Sequence, residues 1–168
     1  MLISLGADRR WFSISIESDV HPWASGGTDD ILSAIRVLDA WRRGITLHEL
    51  NTLFPFMHYD ELAQAYEGGD PVATQWHQIL AEGDPFFSLP LLHKIHSNDR
   101  LRTLFPFLSH GTLRLARDHT DRTAGEIRIT PLRTGEHQVE STTPGEPKKI
   151  IEPFDQLIDA VIEFLDRP

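Results

Sequence analysis

Residues 103–115 read TLFPFLSHGTLRL, and the spacing of apolar residues along the chain changes within them. Before this stretch, apolar residues recur every three or four positions, which is typical of helices that pack one face on a core. After Ser109-His110-Gly111 they alternate instead, with Leu113 and Leu115 on one side and Arg114 on the other. Alternation of this kind is typical of half-buried strands. The stretch therefore predicts a boundary between a helical middle and a sheet.

The first five letters of this stretch, TLFPF, also occur at residues 52–56. Proline disfavours helical geometry in the residue before it, so each copy is expected to end a short helix, at Phe54 and at Phe105. The phenylalanines on either side would anchor the exit in the core. The first copy leads into a further helix and the second into alternating residues. One helix-ending device used twice explains this better than a duplicated unit.

Capping residues and apolar periodicity predict the helices of the middle segment. Thr28-Asp29-Asp30 supplies side-chain oxygens and negative charge for the start of the first helix, and Gly44 ends it. Thr46 and Glu49 have the spacing of a capping box and start another. Further helices are predicted over residues 60–66, from Asp70-Pro71 onward, over 91–97 and over 98–105, with residues 84–90 as a buried connection.

Alternating residues predict strands at both ends of the chain. One strand covers residues 11–16, with residues 1–5 as its partner across a turn at 6–10, and a meander follows Gly111 over 112–117, 126–132 and 137–141. A polar loop is expected at 142–149. From Pro153 onward, an amphipathic helix is predicted by Phe154, Leu157, Ile158, Val161, Ile162 and Leu165. Together these elements predict an α+β fold: a helical middle, an antiparallel sheet of N-terminal strands plus C-terminal meander, and a C-terminal helix, in a single domain over residues 1–168.

The charge of the chain argues against some partners. It carries 16 Lys and Arg against 25 Asp and Glu, a formal net charge of −9. No nucleic-acid partner is expected, because duplex binding neutralises phosphates with cations. Residues 100–149 differ, with nine basic and six acidic residues, which predicts either a mildly basic face or an ordinary solvated side of a sheet.

Two absences in the sequence exclude further classes of site. The chain has no cysteine, which excludes disulfides, thiolate metal sites and cysteine nucleophiles. No apolar run approaches the roughly 18 residues that a membrane-spanning helix needs. We therefore expect a cytoplasmic protein that does not contact a membrane.

His110 is the first candidate for chemistry. It follows Ser109 as a base beside a nucleophile would, but adjacent residues on an extended chain point to opposite sides, so a serine hydrolase is not expected. His110 then acts either as a lone acid or base or as a hydrogen-bonded corner residue. His93 and His96 share a helical face, but no acidic ligand follows them at the spacing of a zinc protease. We expect chance pairing of these histidines and no metal site.

Three residues of the N-terminal part are further candidates. Asp29 and Asp30 could offer carboxylates to a ligand, although a helix start needs these residue types for capping alone. Trp23 lies between Pro22 and the glycine-rich Ser25-Gly26-Gly27, where an indole has no evident helix or strand to pack on. We therefore expect Trp23 to contact a ligand.

Several short stretches occur in a recognisable order between residues 11 and 117: Thr28-Asp29-Asp30-Ile31, Ala40-Trp41-Arg42-Arg43-Gly44, Leu47-x-Glu49-Leu50, Pro55-Phe56, Glu61-Leu62-Ala63, Gln75-Trp76 and Leu104 to Arg114. In this order they resemble an actinobacterial family labelled as a domain of unknown function in natural-product biosynthesis proteins. The resemblance implies a cytoplasmic accessory protein of gene clusters that make modified peptides. It extends to the small helical enzymes that form the lysinoalanine cross-link of duramycin-type lanthipeptides, which add a lysine amine to a dehydroalanine without a metal or redox cofactor.

Two functional hypotheses follow. The first is an accessory or binding protein that recognises a peptide or protein partner, because no catalytic constellation has a spacing beyond chance. The second is a cofactor-free acid–base enzyme that cross-links a modified peptide, with His110, Arg114 and Asp29 or Asp30 as its participants. An immunity-type or regulatory interaction protein is a third hypothesis. No cofactor is expected, and the sequence allows a homodimer.

Overall fold

The computed structural model describes residues 2–6, 10–19, 21–121, 123–142, 150–153 and 156–166, with side chains except at 150–152 and 166. Contacts divide the chain into two compact units, Met1–Pro71 and Val72–Pro168, which we call the N-terminal unit and the C-terminal unit. Each unit has its own antiparallel sheet and its own apolar core. The prediction of one domain over residues 1–168 stays a prediction.

The N-terminal unit joins a four-stranded sheet to three helices among its described residues. The strands lie in the order β1-β2-β3-β4 and are antiparallel. In chain order the elements are β1 (Leu2–Leu5), β2 (Phe12–Glu17), β3 (Pro22–Thr28), α1 (Ile31–Arg42), α2 (Leu47–Leu53), β4 (Met57–His58) and α3 (Glu61–Gly68).

Local sequence explains the start of these helices. The Asp30 side chain accepts hydrogen bonds from the backbone N–H groups of Leu32 and Ser33 in the first turn of α1. Thr46 and Glu49 form the reciprocal capping box that their spacing predicts, which satisfies two backbone donors at the start of α2. Ile14 and Ile16 of β2 point into the core, as the alternation of residues 11–16 predicts.

The C-terminal unit joins a five-stranded antiparallel meander to three helices among its described residues. Its strands lie in the order β5-β6-β7-β8-β9. In chain order the elements are α4 (Pro71–Glu82), which begins at the unit boundary, α5 (Leu89–His96), a 3₁₀ turn (Leu101–Thr103), β5 (Phe105–Ser109), β6 (Thr112–Ala116), β7 (Glu126–Pro131), β8 (His137–Ser141), β9 (Ile150–Glu152) and α6 (Leu157–Asp166).

One face of this meander is the core face. The inward residues of β6, β7 and β8 form one buried cluster with residues of the three helices. Trp76 of α4 is 1% exposed, and its indole Nε1 donates to the Leu104 carbonyl oxygen at 3.1 Å, so the largest core side chain has its polar atom paired. Since the helices supply their apolar residues to this face, the outward residues of the strands form a second, polar face.

The α+β class, the N-terminal strands, the meander and the C-terminal helix are all confirmed, with the strands divided between two sheets. The predicted helix ending at Phe105 is wrong: the 3₁₀ turn ends at Thr103, and Phe105 begins β5. The connection at 84–90 is only partly buried, since Phe86 is 63% exposed whereas Phe87 is 3% exposed. The last helix begins at Leu157, after a turn in which Gln156 N donates to Pro153 O.

Strands β3, β4, β5 and β9 are additional to the prediction. Residues 22–28 and 57–58 pair in the N-terminal sheet, and residues 150–152 close the meander. Four predicted features involve residues outside the described ranges, namely Met1 of the first strand, residues 7–9 of the turn, residues 143–149 of the loop, and Phe154.

Candidate functional site

The polar face of the C-terminal sheet carries a row of long side chains that run across four strands. Strand pairing places Phe107 of β5 opposite Arg114 of β6, Arg114 opposite Arg128 of β7, and Arg128 opposite Glu140 of β8. Residues opposite each other on neighbouring strands project to the same face. We call Phe107, Arg114, Arg128 and the underlying Glu126 the arginine row.

Glu126 holds the two arginines of this row. Its Oε2 accepts from Arg114 Nε at 2.8 Å and Nη2 at 2.6 Å, and its Oε1 accepts from Arg128 Nε at 2.6 Å. Burial acts to raise the pKa of the Glu126 carboxyl, but the hydrogen bonds and charges of Arg114 and Arg128 outweigh it and hold the pKa below its usual range. Glu126 is therefore an anion that neutralises part of the repulsion between two facing cations.

Phe107 extends the row at the edge of the sheet. Its side chain is 46% exposed, and the Arg114 Cζ lies 5.6 Å from the ring centroid, within the range of a cation–π contact. Strand β5 is an edge strand, because it pairs with β6 and has no other neighbour among the described strands. Pro106 fits this position, since it has no N–H to donate to a further strand. The exposed ring thus lies beside a cation at the border of the sheet.

His110 and Gly111 form the two-residue turn that joins β5 to β6. Both have positive φ, at 51° and 72°, as a type I′ hairpin turn requires. Glycine adopts this geometry without strain, and Phe86 packs over it: a Cβ added at Gly111 would lie 3.3 Å from Phe86 Cγ. The sequence signal for this hairpin was the His110-Gly111 pair between alternating residues.

The turn overturns one expectation from the sequence. Ser109 Oγ and His110 Nδ1 lie 2.7 Å apart, so the two side chains do contact each other. The prediction that they point apart assumed an extended chain, whereas the left-handed backbone at His110 rotates its side chain back toward Ser109. Within the described residues, Ser109 is the sole hydrogen-bond partner of His110, so no carboxylate orients the imidazole as in a catalytic triad.

The next row of the polar face carries hydroxyl groups. Ser109 is opposite Thr112, which is followed across the sheet by Thr130 and Gln138. Thr112 Oγ1 and Thr130 Oγ1 lie 3.0 Å apart. Two residues predicted from sequence are therefore close to each other on this surface. Arg114 belongs to the arginine row, and His110 contacts Ser109 of the neighbouring row. Phe107, Glu126 and Arg128 were not predicted, because their proximity depends on cross-strand register.

The other predicted residues, Asp29, Asp30 and Trp23, belong to the N-terminal unit. Asp30 caps α1, accepting from Leu32 N at 3.1 Å and Ser33 N at 3.0 Å, and the hydrogen bond from the Ser33 hydroxyl together with these two holds the pKa of its carboxyl below its usual range. Asp29 is exposed beside it. The capping interpretation accounts for Asp30 fully.

Trp23 has a strand and helices to pack with, contrary to prediction. It is part of β3 and packs on the N-terminal core within a group of aromatic rings. Its ring centroid lies 5.8 Å from His21, 6.1 Å from Trp41 and 6.2 Å from Tyr66. The indole therefore has the packing partners that the sequence did not reveal, and ligand contact by Trp23 is no longer needed to explain it.

The described residues contain no cluster of three His, Asp or Glu side chains that could hold a metal ion. His93 and His96 lie in the last turn of α5, where His96 packs its ring 5.2 Å from Trp76. Two surface clefts, of about 430 and 280 Å³, are formed by residues of the N-terminal unit between Ile45 and Gln64. None of the predicted site residues lines either cleft.

Comparison with known proteins identifies a family. The sequence model of a family described as "family of unknown function (DUF6193)" matches residues 70–165. This range coincides closely with the C-terminal unit and contains the whole arginine row. No curated protein and no solved structure matches the chain. Among the described residues, no helix is long and apolar enough to cross a bilayer.

Proposed function

Because the chain belongs to the DUF6193 family of unknown function, we propose that the polar face of its family-defining unit is a binding surface for a peptide or protein partner. The observation that carries this proposal is the arginine row itself. It presents Phe107, Arg114 and Arg128 on a sheet face whose opposite side packs the core. The protein is then an accessory or binding protein, and it performs no chemistry of its own.

The residue types of the row support this assignment. Aromatic and arginine side chains are enriched in protein interfaces and contribute most of the energy at their centres. Here an aromatic ring lies beside an arginine, and Glu126 fixes the guanidinium groups of Arg114 and Arg128. A preorganised arginine loses less entropy on binding than a freely moving one. The face therefore has the features of a surface built to bind.

The proposal includes a biological setting. The stretches quoted above resemble an actinobacterial family of natural-product biosynthesis proteins, and two of them, Gln75-Trp76 and Leu104 to Arg114, fall within the residues that the family model matches. We accordingly place the protein in the cytoplasm, beside enzymes that modify a peptide. The partner is then the modified peptide or one of these enzymes.

Site-specific photo-crosslinking tests the proposal. A photoreactive phenylalanine analogue at Phe107 of the full chain should capture a partner in a lysate of an actinobacterium that makes modified peptides. The matched control carries the same analogue at Leu32, which is 59% exposed on α1 and lines neither cleft. A cross-linked species at Phe107 that is lost in Arg128→Gln supports the proposal. Equal capture at both positions, or none at Phe107, contradicts it.

The contact between Ser109 and His110 favours one alternative, a cofactor-free acid–base enzyme that forms a lysinoalanine-like cross-link. In this reaction a lysine ammonium loses a proton, its nitrogen bonds to the β-carbon of dehydroalanine, and the α-carbon takes up a proton, so atoms balance without a co-reactant. His110 would accept the first proton, and Arg114 would stabilise the enolate.

A chemical protection assay tests this alternative. The reaction leaves the mass of the peptide unchanged but consumes dehydroalanine, so the product no longer adds an external thiol. Incubation of a peptide that contains lysine and dehydroalanine with the full chain should lower thiol labelling, and His110→Gln should restore it. If labelling is the same with and without the protein, the enzyme hypothesis is wrong and the binding proposal is unaffected.

A further inference from the structure

The anion that offsets the two cations of the arginine row lies beneath them and not on the solvent side. Arg114 and Arg128 are a directly opposed cross-strand pair, an arrangement that is unfavourable unless an anion offsets it. Glu126 is that anion, but its side chain is only 13% exposed, whereas the side chains of Arg114 and Arg128 are 39% and 41% exposed. The carboxylate therefore lies beneath the guanidinium groups, and a molecule that approaches from solvent meets the cations first.

Hydrogen-bond donors remain on this outer layer. Arg128 uses its Nε for Glu126, and within the described residues its two terminal nitrogens have no acidic partner. Glu140 lies in register with Arg128 on β8 but forms no ion pair with it in the part of the chain that the structure describes. The planar guanidinium presents parallel donors whose spacing matches the two oxygens of a carboxylate.

Phe107 adds a second kind of contact at a fixed distance from these donors. Its ring lies next to Arg114, and Arg128 is one strand further. Neighbouring strands are about 4.8 Å apart, so Arg128 and Phe107 are roughly 10 Å apart across the sheet. In an extended peptide, side chains two residues apart project to the same face about 7 Å from each other, and the lengths of the side chains cover the remaining distance.

We propose that the arginine row recognises a carboxylate together with an adjacent apolar side chain, as found in a peptide segment with Asp or Glu close to an aromatic or aliphatic residue. The inference rests on the proposed function and names the class of partner. Arg128 binds the carboxylate in a fork, Arg114 lies between the two subsites, and Phe107 packs the apolar side chain.

Charge decides between this occupant and a polyanion. The net charge of −9 repels a chain of phosphates. One carboxylate instead meets the exposed guanidinium groups of Arg114 and Arg128 before the less exposed carboxylate of Glu126. The locally basic composition of residues 100–149 agrees with this position of the site. A nucleic acid would bind without a requirement for a single carboxylate.

The test uses the full chain and two blocked tetrapeptides, one with aspartate and phenylalanine separated by one residue and one with asparagine and phenylalanine at the same positions. Binding is measured by two-dimensional NMR titration. The aspartate peptide should bind at least about tenfold more tightly, because a charge-assisted hydrogen-bond pair is lost in the other. The shifted resonances should include Phe107 and the side-chain Nε of Arg114 and Arg128.

Two variants and a control complete the experiment. Arg128→Gln should reduce the affinity for the aspartate peptide to that for the asparagine peptide, and Arg128→Lys, which keeps the charge but loses the fork, should lie between them. Arg133→Gln removes an exposed cation of the β7–β8 turn and should have no effect. The spectrum of each variant shows directly whether the fold is kept.

Three outcomes of the peptide experiment contradict the inference: equal affinities for the two peptides, shifts that lie elsewhere, or no effect of Arg128→Gln. If any of these occurs while cross-linking at Phe107 still captures a partner, the partner class is wrong and the proposed function stands. If cross-linking fails but the aspartate peptide binds selectively, the carboxylate site stands and the macromolecular partner is rejected. Selective binding of a single-stranded oligonucleotide in place of the peptide overturns the inference as well.

Discussion

Strands β3 and β7 each pair with two neighbouring strands, yet they pack in opposite ways. Strand β7 fills its core side with Ile127 and Ile129, both fully buried. Strand β3 instead carries Gly26 and Gly27, where added Cβ atoms would lie 2.1 Å from the Phe56 carbonyl oxygen and 2.8 Å from the Trp11 ring. Strand β7 is held by the large side chains that it contributes to the core. Strand β3 is held by the close approach that its glycines permit.

This difference teaches that glycine in a strand can be a packing residue. A backbone without Cβ allows a neighbouring carbonyl or ring to lie directly on it, which a larger residue would prevent. The two units should therefore fail in different ways. Removal of a large side chain should destabilise the C-terminal unit most, whereas addition of a single methyl group should destabilise the N-terminal unit.

The largest effect is expected from Trp76→Ala in the C-terminal unit. The indole is 1% exposed and holds the Leu104 carbonyl oxygen, so truncation leaves both a cavity and an unpaired buried acceptor. The free energy of unfolding should fall by about 4–5 kcal/mol, as measured by urea denaturation. Trp76→Phe keeps most of the volume and should cost roughly half as much. A loss under about 1 kcal/mol would show that the core around α4 can collapse.

Gly26→Ala should have the next largest effect, in the N-terminal unit. The new methyl group meets backbone at the Phe56 carbonyl oxygen, so β3 and β4 must separate, with an expected loss of about 2–3 kcal/mol. Gly68→Ala is the matched control, because a Cβ there meets nothing within 4 Å, and it should be neutral or slightly stabilising. Hydrogen exchange should show lost protection in the paired residues of β3 and β4, and unchanged protection there would contradict the packing role of Gly26.

The same two variants test the prediction of a single domain. If residues 1–168 unfold as one cooperative unit, Trp76→Ala and Gly26→Ala lower the midpoint of one shared transition. Two transitions, each moved by one variant alone, would show that the units at Met1–Pro71 and Val72–Pro168 are independent domains.

The sequence predicts the elements whose side chains show helical or alternating periodicity, and it does not reveal elements without such a pattern. Helices α1 to α5 and strands β6, β7 and β8 follow capping residues and alternation, and they were all expected. The sequence does not predict strand β3, because Ser25-Gly26-Gly27 is typical of a turn, and it predicts a helix end where β5 begins because of Pro106. Neither pattern reveals that glycine receives a neighbour or that proline occupies an edge strand.

The candidate site was predicted in part for a related reason. His110 and Arg114 are close in sequence to the change in periodicity, so local reasoning found them. Glu126 and Arg128 lie on another strand, and only the register of β6 on β7 brings them to Arg114. The Ser109–His110 contact was missed because it depends on a positive φ that histidine adopts less often than glycine.

A change in pH should have a moderate effect on stability, because each unit contains a buried histidine. Burial lowers the pKa of His21, against an opposing influence of the Asp60 carboxylate, and burial also lowers the pKa of His137. Since both groups bind protons more weakly folded than unfolded, their contribution to stability is present above the unfolded pKa of about 6.5 and is lost as the pH falls toward the folded pKa. Both units should therefore be less stable at mildly acidic pH.

His21→Phe separates the two contributions. His21 is 5% exposed and stacks on Tyr66 at 4.4 Å, and its Nε2 has no hydrogen-bond partner among the described residues. Phenylalanine keeps the stack and cannot be protonated, so hydrogen exchange in β3 should lose its acid sensitivity while exchange in β7 keeps it. His48→Gln, at an exposed position of α2, should leave both unchanged. Acid sensitivity of β3 that persists in His21→Phe would assign the effect to another group.

The smallest effect is expected from changes at Asp29 and Asp30, the two aspartates before α1 that the catalytic hypothesis names. Asp30→Ala removes the acceptor of two backbone N–H groups and should lower the melting temperature by a few degrees, whereas Asp29→Ala should leave it unchanged, because only Asp30 caps the helix. Neither variant should alter binding of the aspartate peptide or thiol labelling of a dehydroalanine peptide, since capping is a local contribution to the N-terminal unit. A change in either assay with Asp30→Asn, which is itself a good helix cap, would separate chemistry from capping and return Asp30 to the list of catalytic residues.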